Sequence, residues 1–525
     1  MRIFKEREET MKKRKKTIGL VLAFLISFFA FLLFTFTMLR NKVLPLKYRI
    51  IIIIFFIIIF IILYYISLLK STNNTTRIVV LAILVVLTIL FYLGHSYISQ
   101  GVGAINKLNE GKKVEVLEYS LVVRKDSEIK EIGDIGNTPV HTASEQDAEG
   151  SQLFKDTLKE KNIDLSYVDG SNYTSLAKEL EDGEADVILL HETYRRSIED
   201  HLGDFSEQTR VVYSTNVEKK IDKPIEVVKP LKMSNFNIYI SGIDTYGSIS
   251  TVSRTDVNLV LTVNSENKTM LITSIPRDSY VPIAGGGNNY YDKLTHSGIY
   301  GISSSIETLE NLLDTSINYY ARVNFNSIID VVDALGGIDI YNPVEFQSDV
   351  SDYHYPQGKI HLDGDETLFF ARERKNLPDG DMDRGRNHIR IIKAIIEKGL
   401  SPAILFNYSE VLDSVIGAME TNMPYDEIIT LINNQIADNK PWTIHSTNIV
   451  GYGTTEYPSY AMPGYKLFMY IPFDESVAEV REEINAVEAG KPVVIKEKKE
   501  EDYNENDNFY ERVMEQHRKN ARNGQ

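Results

Sequence analysis

Basic side chains recur at unusual places in an otherwise acidic stretch of this chain. Arg254 and Asp256 stand where the chain enters a run of alternating apolar residues, and Arg277 and Asp278 directly follow another, in Ile275-Pro276-Arg277-Asp278. Lys293 lies in a segment rich in Gly, Asn and Tyr, and Arg372 and Arg374 end an apolar helical run. Arg384 and His388 are four residues apart, which puts both on one face of a helix. Several arginines beside carboxylates suit a phosphate or pyrophosphate. Arg grips such an anion through bidentate forks, and a hard cation bridges its oxygens to Asp. The alternative is that each Arg–Asp neighbour is a surface ion pair worth about 0–1 kcal/mol. Two features favour the ligand reading: the residues come from separate strand and helix ends, where α/β folds place ligands, and their sign opposes the background.

Other chemistries find little support. The chain has no cysteine, so thiolate catalysis, zinc–thiolate sites, iron–sulfur clusters and disulfides are excluded together. Gly285-Gly286-Gly287 is not followed by Gly-Lys-Ser/Thr and reads as a flexible loop; His191-Glu192 lacks the second His of a zinc-protease motif. His296, alone, reads as a structural hydrogen-bonding residue.

The elements that must hold the basic residues are legible. Phe236, Ile238 and Ile240 alternate in a strand that ends at Gly242-Ile243-Asp244. Val257–Val263 and Met270–Ile275 form a hairpin around the turn Asn264–Lys268. A serine-capped helix over Ser303–Leu313, a strand from Tyr319 to Val323, and a helix over Asn326–Leu335 stopped by Gly336-Gly337 follow. Leu368–Arg372, Ile389–Lys398, Glu410–Met419, Tyr425–Ala437 and Ser476–Val487 read as helical, and Trp442–Ile449 as extended. The pattern predicts an α/β domain over 233–490 with mixed strand pairing, its chemistry-bearing block at 233–400. Ahead of it, 99–225 reads as a smaller α/β accessory domain and Glu218–Lys232 as a linker. Lys491–Gln525, with eight basic and eight acidic residues and few apolar ones, reads as a disordered tail.

The chain has 525 residues and a formal charge of −16, but residues 1–97 hold 14 Lys/Arg against 3 Asp/Glu. The remainder is strongly acidic, which argues against a nucleic-acid partner. Three apolar runs, Ile18–Leu39, Ile50–Leu69 and Ile78–Leu93, explain the oily start. About 20 apolar residues cross a bilayer core, so the first two suffice and the third does if it continues to about Ile98. The first run is long, lacks a small-residue cleavage site and is followed at once by another, unlike a signal peptide. Eight Lys/Arg precede Ile18, and Lys70 and Arg77 flank the second loop, against four in the first loop. The positive-inside rule then predicts residues 1–98 as a basic cytoplasmic tail plus three spans, with everything later outside.

In order, Asn237–Asp244, Ser253-Arg254-Thr255-Asp256, Ser274–Asp278, Asp292–His296 and Ala371-Arg372-Glu373-Arg374 resemble the LytR–CpsA–Psr family over about 233–400. The three spans and the preceding α/β piece are similar to its CpsA-type streptococcal capsule branch. The resemblance implies a membrane-anchored phosphotransferase that moves capsular polysaccharide or a similar glycan from a polyprenyl-pyrophosphate carrier to peptidoglycan. It implies magnesium at Asp244 and Asp256, and pyrophosphate binding by Arg254, Arg277, Lys293, Arg372, Arg374 and Arg384. His388 stands where the family often has Gln. Asp256, Arg277, Arg372 and Arg374 are the implied catalytic residues, with Asp256 open between metal ligand and general base. The implied partners are the lipid-linked glycan, peptidoglycan, the membrane and capsule-synthesis membrane proteins. A polyprenyl-pyrophosphate hydrolase and a non-catalytic membrane regulator or scaffold are the rival readings.

Overall fold

The structure, a computed structural model, describes residues 2–42, 44–68, 74–109, 114–220, 230, 234–243, 249, 251–401, 419–438, 440–504 and 508–523. It divides into two compact units. One comprises Met1–Asn109 with Asn407–Ile416 and Pro424–Lys440; the other comprises Glu110–Phe406, Gly417–Met423 and Pro441–Gln525.

The first unit contains helices α1 (Arg2–Arg40), α2 (Leu46–Leu68) and α3 (Asn74–Asn109). Each carries a stretch long and apolar enough to cross a membrane: Ile18–Arg40, Leu46–Ser67 and Asn74–Gln100. The third apolar run is thus part of a longer helix, and 99–109 continues that helix and does not open the accessory domain. Phe31, Phe60 and Phe91 form the buried seam between the helices. A methyl on Gly94 would come within 2.7 Å of the Phe34 ring, so glycine permits the close approach of α3 to α1. A helix from the chain's far end, Tyr425–Asp438, belongs to the same unit. Lys47 Nζ donates to Ala437 O (3.2 Å) and Asn433 Nδ2 to Lys42 O (2.5 Å), joining that helix to the start of α2 and to the first interhelical loop. The domain predicted over 233–490 is therefore interrupted here.

The second unit begins with a five-stranded sheet. Its chain order is β1 (Val114–Arg124), β2 (Val140–Thr142), helix α4 (Ala148–Glu160), β3 (Tyr167–Asp169), helix α5 (Tyr173–Asp182) and β4 (Val187–His191). Helices α6 (Arg195–Leu202) and α7 (Phe205–Gln208) lead to β5 (Thr209–Lys220). The strand order is β3-β2-β4-β1-β5. Asp147 and Asn172 accept backbone N–H bonds at the starts of α4 and α5, and Gly183 (φ +76°) ends α5 in the left-handed region.

The larger sheet follows: β6 (Asn235–Ile243), β7 (Thr255–Asn264), β8 (Thr269–Ser274), then the hairpin β9 (Tyr280–Ile283) and β10 (Tyr290–Lys293). Helix α8 (Ile302–Leu313), β11 (Tyr319–Val323), α9 (Phe325–Ala334), and small ladders of β12 (Ile338–Asn342) with β15 (Gly358–Leu362) and β13 (Phe346–Gln347) with β14 (His354–Tyr355) come next. Helices α10 (Gly364–Arg372) and α11 (Asp381–Gly399), strand β16 (Met419–Thr421), the span-associated helix as α12, β17 (Thr443–Asn448), β18 (Gly451–Thr454), β19 (Met469–Pro472) and α13 (Asp474–Glu488) complete it. The six-stranded order is β16-β11-β6-β7-β8-β17, with β11/β6 and β8/β17 parallel and the other pairs antiparallel. The fold is mixed α/β, as the pattern predicts.

Three local readings need correction. Helix α8 is capped at Gly301 with no side-chain cap; Ser304 and Ser305 lie buried inside it, their hydroxyls bonded to Ala284 O and Ser297. Gly285–Gly287 is a tight turn packed under Tyr300 and Ile283, not a flexible loop. The end of the chain is not a featureless tail: α14 (Phe509–Asn523) buries Phe509 and Val513 in the same core as Tyr280, Met469 and Ile471. Composition hid this because the helix has only a narrow apolar stripe amid charge. The predicted helix Glu410–Met419 lies outside the described residues except for Met419, which opens β16, and most of the predicted linker Glu218–Lys232 also lies outside them.

Candidate active site

Asp256 is placed by an irregularity in the β6–β7 ladder. Val257 pairs with Gly242 and Thr255 with Ile243, leaving Asp256 as the extra residue of a bulge. Bulges re-aim one side chain without ending the strand. Arg277 sits in the turn after β8, closed by Ser279 N–H donating to Pro276 O at 3.0 Å. Arg384 and His388 project from the first turns of α11, where Gly385 lies against Ser274 at the end of β8. Asp256, Arg277, Asp381, Arg384 and His388 line one cleft, together with Leu259 and Ile275.

Within it, Arg277 Nη1 donates to Asp256 Oδ1 (2.8 Å), and Thr295 Oγ1 donates to the same oxygen (3.1 Å). Arg277 Nε also faces Asp278 (3.7 Å) and Asp381 (3.9 Å), so one guanidinium serves three carboxylates. Lys293, at the end of β10, pairs with Asp278 at 2.5 Å, and Arg384 pairs with Asp381 at 2.5 Å. Burial alone would raise Asp256's pKa; the charges of Arg277, Arg254, Arg196 and Arg384 outweigh it and hold the carboxyl far below its ordinary range. Burial likewise opposes the charge on Arg277, but Asp256, Asp278 and Asp381 hold it firmly protonated. Burial, then the charge of Arg384, pulls His388 down to about 3. His388 Nε2 lies 2.9 Å from Ala371 O; a carbonyl only accepts, so the neutral ring carries its hydrogen on Nε2.

The predicted residues thus divide. Asp256, Arg277, Arg384 and His388 meet in the cleft, and Lys293 is linked to it through Asp278, which faces Arg277. Arg254 is buried and turned toward the accessory domain, where Nη1 donates to Ser197 Oγ (2.9 Å) and faces Asp200 (3.4 Å). Arg372 lies over the Phe325 ring at 4.6 Å, Arg374 is exposed beyond the end of α10, and neither lines the cleft. His388, however, grips the carbonyl just before Arg372, which ties that helix end to the cleft wall. Asp244 lies outside the described residues. His296 is structural, bonded to Asp292 (2.9 Å). Sequence reasoning missed Asp381, for which an Asp three residues before Arg at a helix start was a usable signal. It also missed Asp278 as a partner of Lys293, and Arg196, for which the sequence offers no signal.

Magnesium has only a partial fit. Among the described residues no group of three or more His, Asp or Glu is disposed to hold a metal. Asp256 offers one carboxylate, consistent with an ion held mostly by substrate oxygens and water, as magnesium often is.

The LytR_cpsA_psr family model matches residues 205–470. The chain belongs to the LytR–CpsA–Psr family. Similar proteins include the polyisoprenyl-teichoic acid–peptidoglycan teichoic acid transferase TagU of Bacillus anthracis, 35% identical over 239 residues, 42% of this chain and 77% of that protein. TagU of Enterococcus faecalis is 35% identical over 224 residues, 41% of this chain and 72% of its own. The crystal structure of B. subtilis TagV aligns with 50% of this chain and 100% of its own, at 28% identity and a TM-score of 0.42. A second model, of a DNA polymerase processivity factor, matches residues 70–190, which run from the third apolar helix into the five-stranded sheet. In this LytR–CpsA–Psr chain the family match covers the cleft-lining residues and leaves helices α1–α6 outside it.

Proposed function

We propose that the protein is a membrane-anchored glycopolymer transferase that moves capsular polysaccharide, or a similar glycan, from a polyprenyl-pyrophosphate carrier to peptidoglycan. The observation that carries this is the cleft in which Arg277 and Arg384 converge on buried Asp256, within a family whose relatives above are named as transferases to peptidoglycan. The capsular glycan rests only on the sequence resemblance of the three spans and accessory domain to the CpsA-type branch.

In the proposed reaction an acceptor hydroxyl attacks the glycan-side phosphorus. The phosphorus–oxygen bond to the lipid-side phosphate breaks, and polyprenyl phosphate leaves. Its second ionisation lies near neutrality, by analogy with other phosphate monoesters, so it takes up the proton lost by the hydroxyl. Arg277 and Arg384 would neutralise charge on the non-bridging oxygens. A magnesium ion, where Asp256 and the diphosphate held it, would supply further charge neutralisation. Asp256, held so strongly ionised, is a poor proton acceptor at neutral pH, so we read it as positioning Arg277 or contacting the metal. Arg372, Arg374 and Lys293 are proposed as further diphosphate contacts from the rim.

The catalytic unit is proposed to be extracytoplasmic. The reading is supported by the basic N-terminus, which the positive-inside rule keeps in the cytoplasm, so that three spans lead the chain out; the bonds from the first interhelical loop and the start of α2 to α12 support only that these lie on the same side. The deciding experiment follows lipid-linked glycan with purified full-length protein, with and without peptidoglycan and magnesium. Glycan joined to peptidoglycan supports the transferase. Free glycan phosphate at the same rate in either case would identify a hydrolase, and no turnover a scaffold.

A further inference from the structure

We propose that the accessory domain is a positioning element of this site: through the turn 459–465 it anchors the segment 292–295, from which Thr295 holds Asp256 and Arg277 in register. The proposal rests on the transferase reading above. Thr295 touches both members of the central pair. Its hydroxyl donates to Asp256 Oδ1 at 3.1 Å, the oxygen that also takes Arg277 Nη1, and its backbone N–H donates to Arg277 O at 2.8 Å. Thr295 is only 1% exposed, so its geometry is set by the backbone that carries it and not by solvent.

That backbone is held from the accessory domain. Asp292, also 1% exposed, accepts from Ser459 Oγ (2.9 Å), from Ala461 N–H (2.7 Å) and from the His296 ring (2.9 Å). The turn 459–465 lies between β18 and β19. Gln146 Nε2 donates to its Ala461 O (2.9 Å) and Thr174 Oγ1 to its Pro463 O (2.8 Å). Ala461 and Met462 are fully buried in one core with Tyr173, Leu176 and Ile198. Gln146 follows β2 and Thr174 follows β3, two parallel strands, and open α/β sheets receive ligands beyond such strand ends. Here the chain's own turn takes that place. The stretch that leads to Asp256 is stapled to the same domain. Val252 N–H donates to Val116 O (2.8 Å), Thr193 Oγ1 to Val252 O (2.7 Å), and Arg254 Nη1 to Ser197 Oγ (2.9 Å). Both segments that meet at Asp256 are therefore anchored on the accessory domain, the kind of backing that keeps a preorganised site in register.

The test is transfer kinetics with full-length protein in detergent, with thermal melting in parallel. Thr295→Val removes the hydroxyl at nearly constant size, and Thr295→Ser keeps it. Loss of a hydrogen bond to a carboxylate predicts a kcat about ten- to a hundredfold lower in Thr295→Val, with KM little changed and most of the loss recovered in Thr295→Ser. On the accessory side, Gln146→Met combined with Thr174→Val removes both bonds to the turn without touching the cleft. This pair should lower kcat about two- to tenfold, and by less than that factor in a Thr295→Val background, because both changes act through one segment. Wild-type kcat in Thr295→Val or in the accessory pair overturns the proposal and leaves the transferase intact, as does full additivity between them. Lowered melting with unchanged kcat in the accessory pair also overturns it, the mark of a purely structural contact. If the pair is unfolded at the assay temperature, Thr174→Val alone carries the same measurement. Failure of the wild type itself to transfer glycan removes the parent reading and this one with it.

Discussion

Arg277 Nη1 lies 2.8 Å from Asp256 Oδ1 with only about a tenth of either side chain exposed, and the two residues come from different strand ends. The pair is asymmetric. Arg277 also faces Asp278 and Asp381, so it keeps counter-charges if Asp256 is lost. Asp256 has Arg254, Arg196 and Arg384 in its field, but Arg277 is its hydrogen-bonded cation.

That asymmetry orders two variants. Arg277→Gln leaves three buried or half-buried carboxylates without their shared cation, and breaking such a pair costs about 3–5 kcal/mol. Asp256→Asn keeps a hydrogen-bond acceptor and should cost less. Both should lower turnover about a hundredfold or more, as lost preorganised charge does. Denaturant unfolding with parallel transfer assays checks the order. Equal stability losses would show that Asp278 and Asp381 do not depend on Arg277.

His388 sets a pH dependence. Its ordinary pKa is 6.5, and burial followed by the Arg384 charge pulls it to about 3 in the folded protein. Between these values the unfolded chain binds a proton that the folded one does not. Stability should therefore fall as pH drops from about 6.5 toward 3, and His388→Gln should flatten that slope. Asp256, also depressed, adds its own loss only below about pH 4, near its ordinary value. Urea midpoints at pH 7 and pH 5 for the two proteins are the measurement; parallel slopes would contradict the assignment.

What the sequence revealed and what it concealed divide along physical lines. Strands β6–β8 were legible because alternation has a period of two and a turn marks the hairpin. Arg384 and His388 were legible because helical spacing fixes a shared face. The bulge at Asp256 was not, since a one-residue slip in a ladder leaves no mark in composition. The partners of Arg254 were not legible either: its charge acts on Asp256, its neighbour but one in sequence, but its hydrogen bonds go to Ser197 and Asp200, more than fifty residues earlier. Long-range partners of this kind have no local signature.

The C-terminal helix should matter for stability. Phe509 and Val513 are buried against residues of the catalytic core. Phe509→Ala should cost about 3–5 kcal/mol by the usual large-to-small penalty, and truncation after Gly490 should cost at least as much. Melting of the full-length and truncated proteins tests this. An unchanged transition would return the segment to the status of a solvated tail.

The orientation can be tested independently of the chemistry. The chain has no native cysteine, so a single one introduced at Ser234 is the sole thiol. It should react with an impermeant reagent on intact protoplasts. Labelling only after lysis would reverse the orientation and remove peptidoglycan as an acceptor.

Arg372 gives the sharpest test of the rim. Its guanidinium lies over Phe325 at 4.6 Å, a stacking that preorients a planar fork and that lysine reproduces poorly. The α10 end that carries it is tethered through Ala371 O to His388 in the cleft wall. If Arg372 and Arg374 reach the diphosphate together, Arg372→Lys should lower turnover strongly despite keeping its charge. Phe325→Leu should have a smaller effect, about two- to fivefold, matching a cation–π contribution of about 0.5–1 kcal/mol. Arg374, exposed, should tolerate Lys in the melting assay but not in the transfer assay. Combining Phe325→Leu with Arg372→Lys should add little to Arg372→Lys alone, because the ring acts through the guanidinium. Fully additive losses would mean that Phe325 serves the fold and not the arginine. Wild-type turnover in Arg372→Lys and Arg374→Lys would confine the site to the inner cleft of Asp256, Arg277 and Arg384.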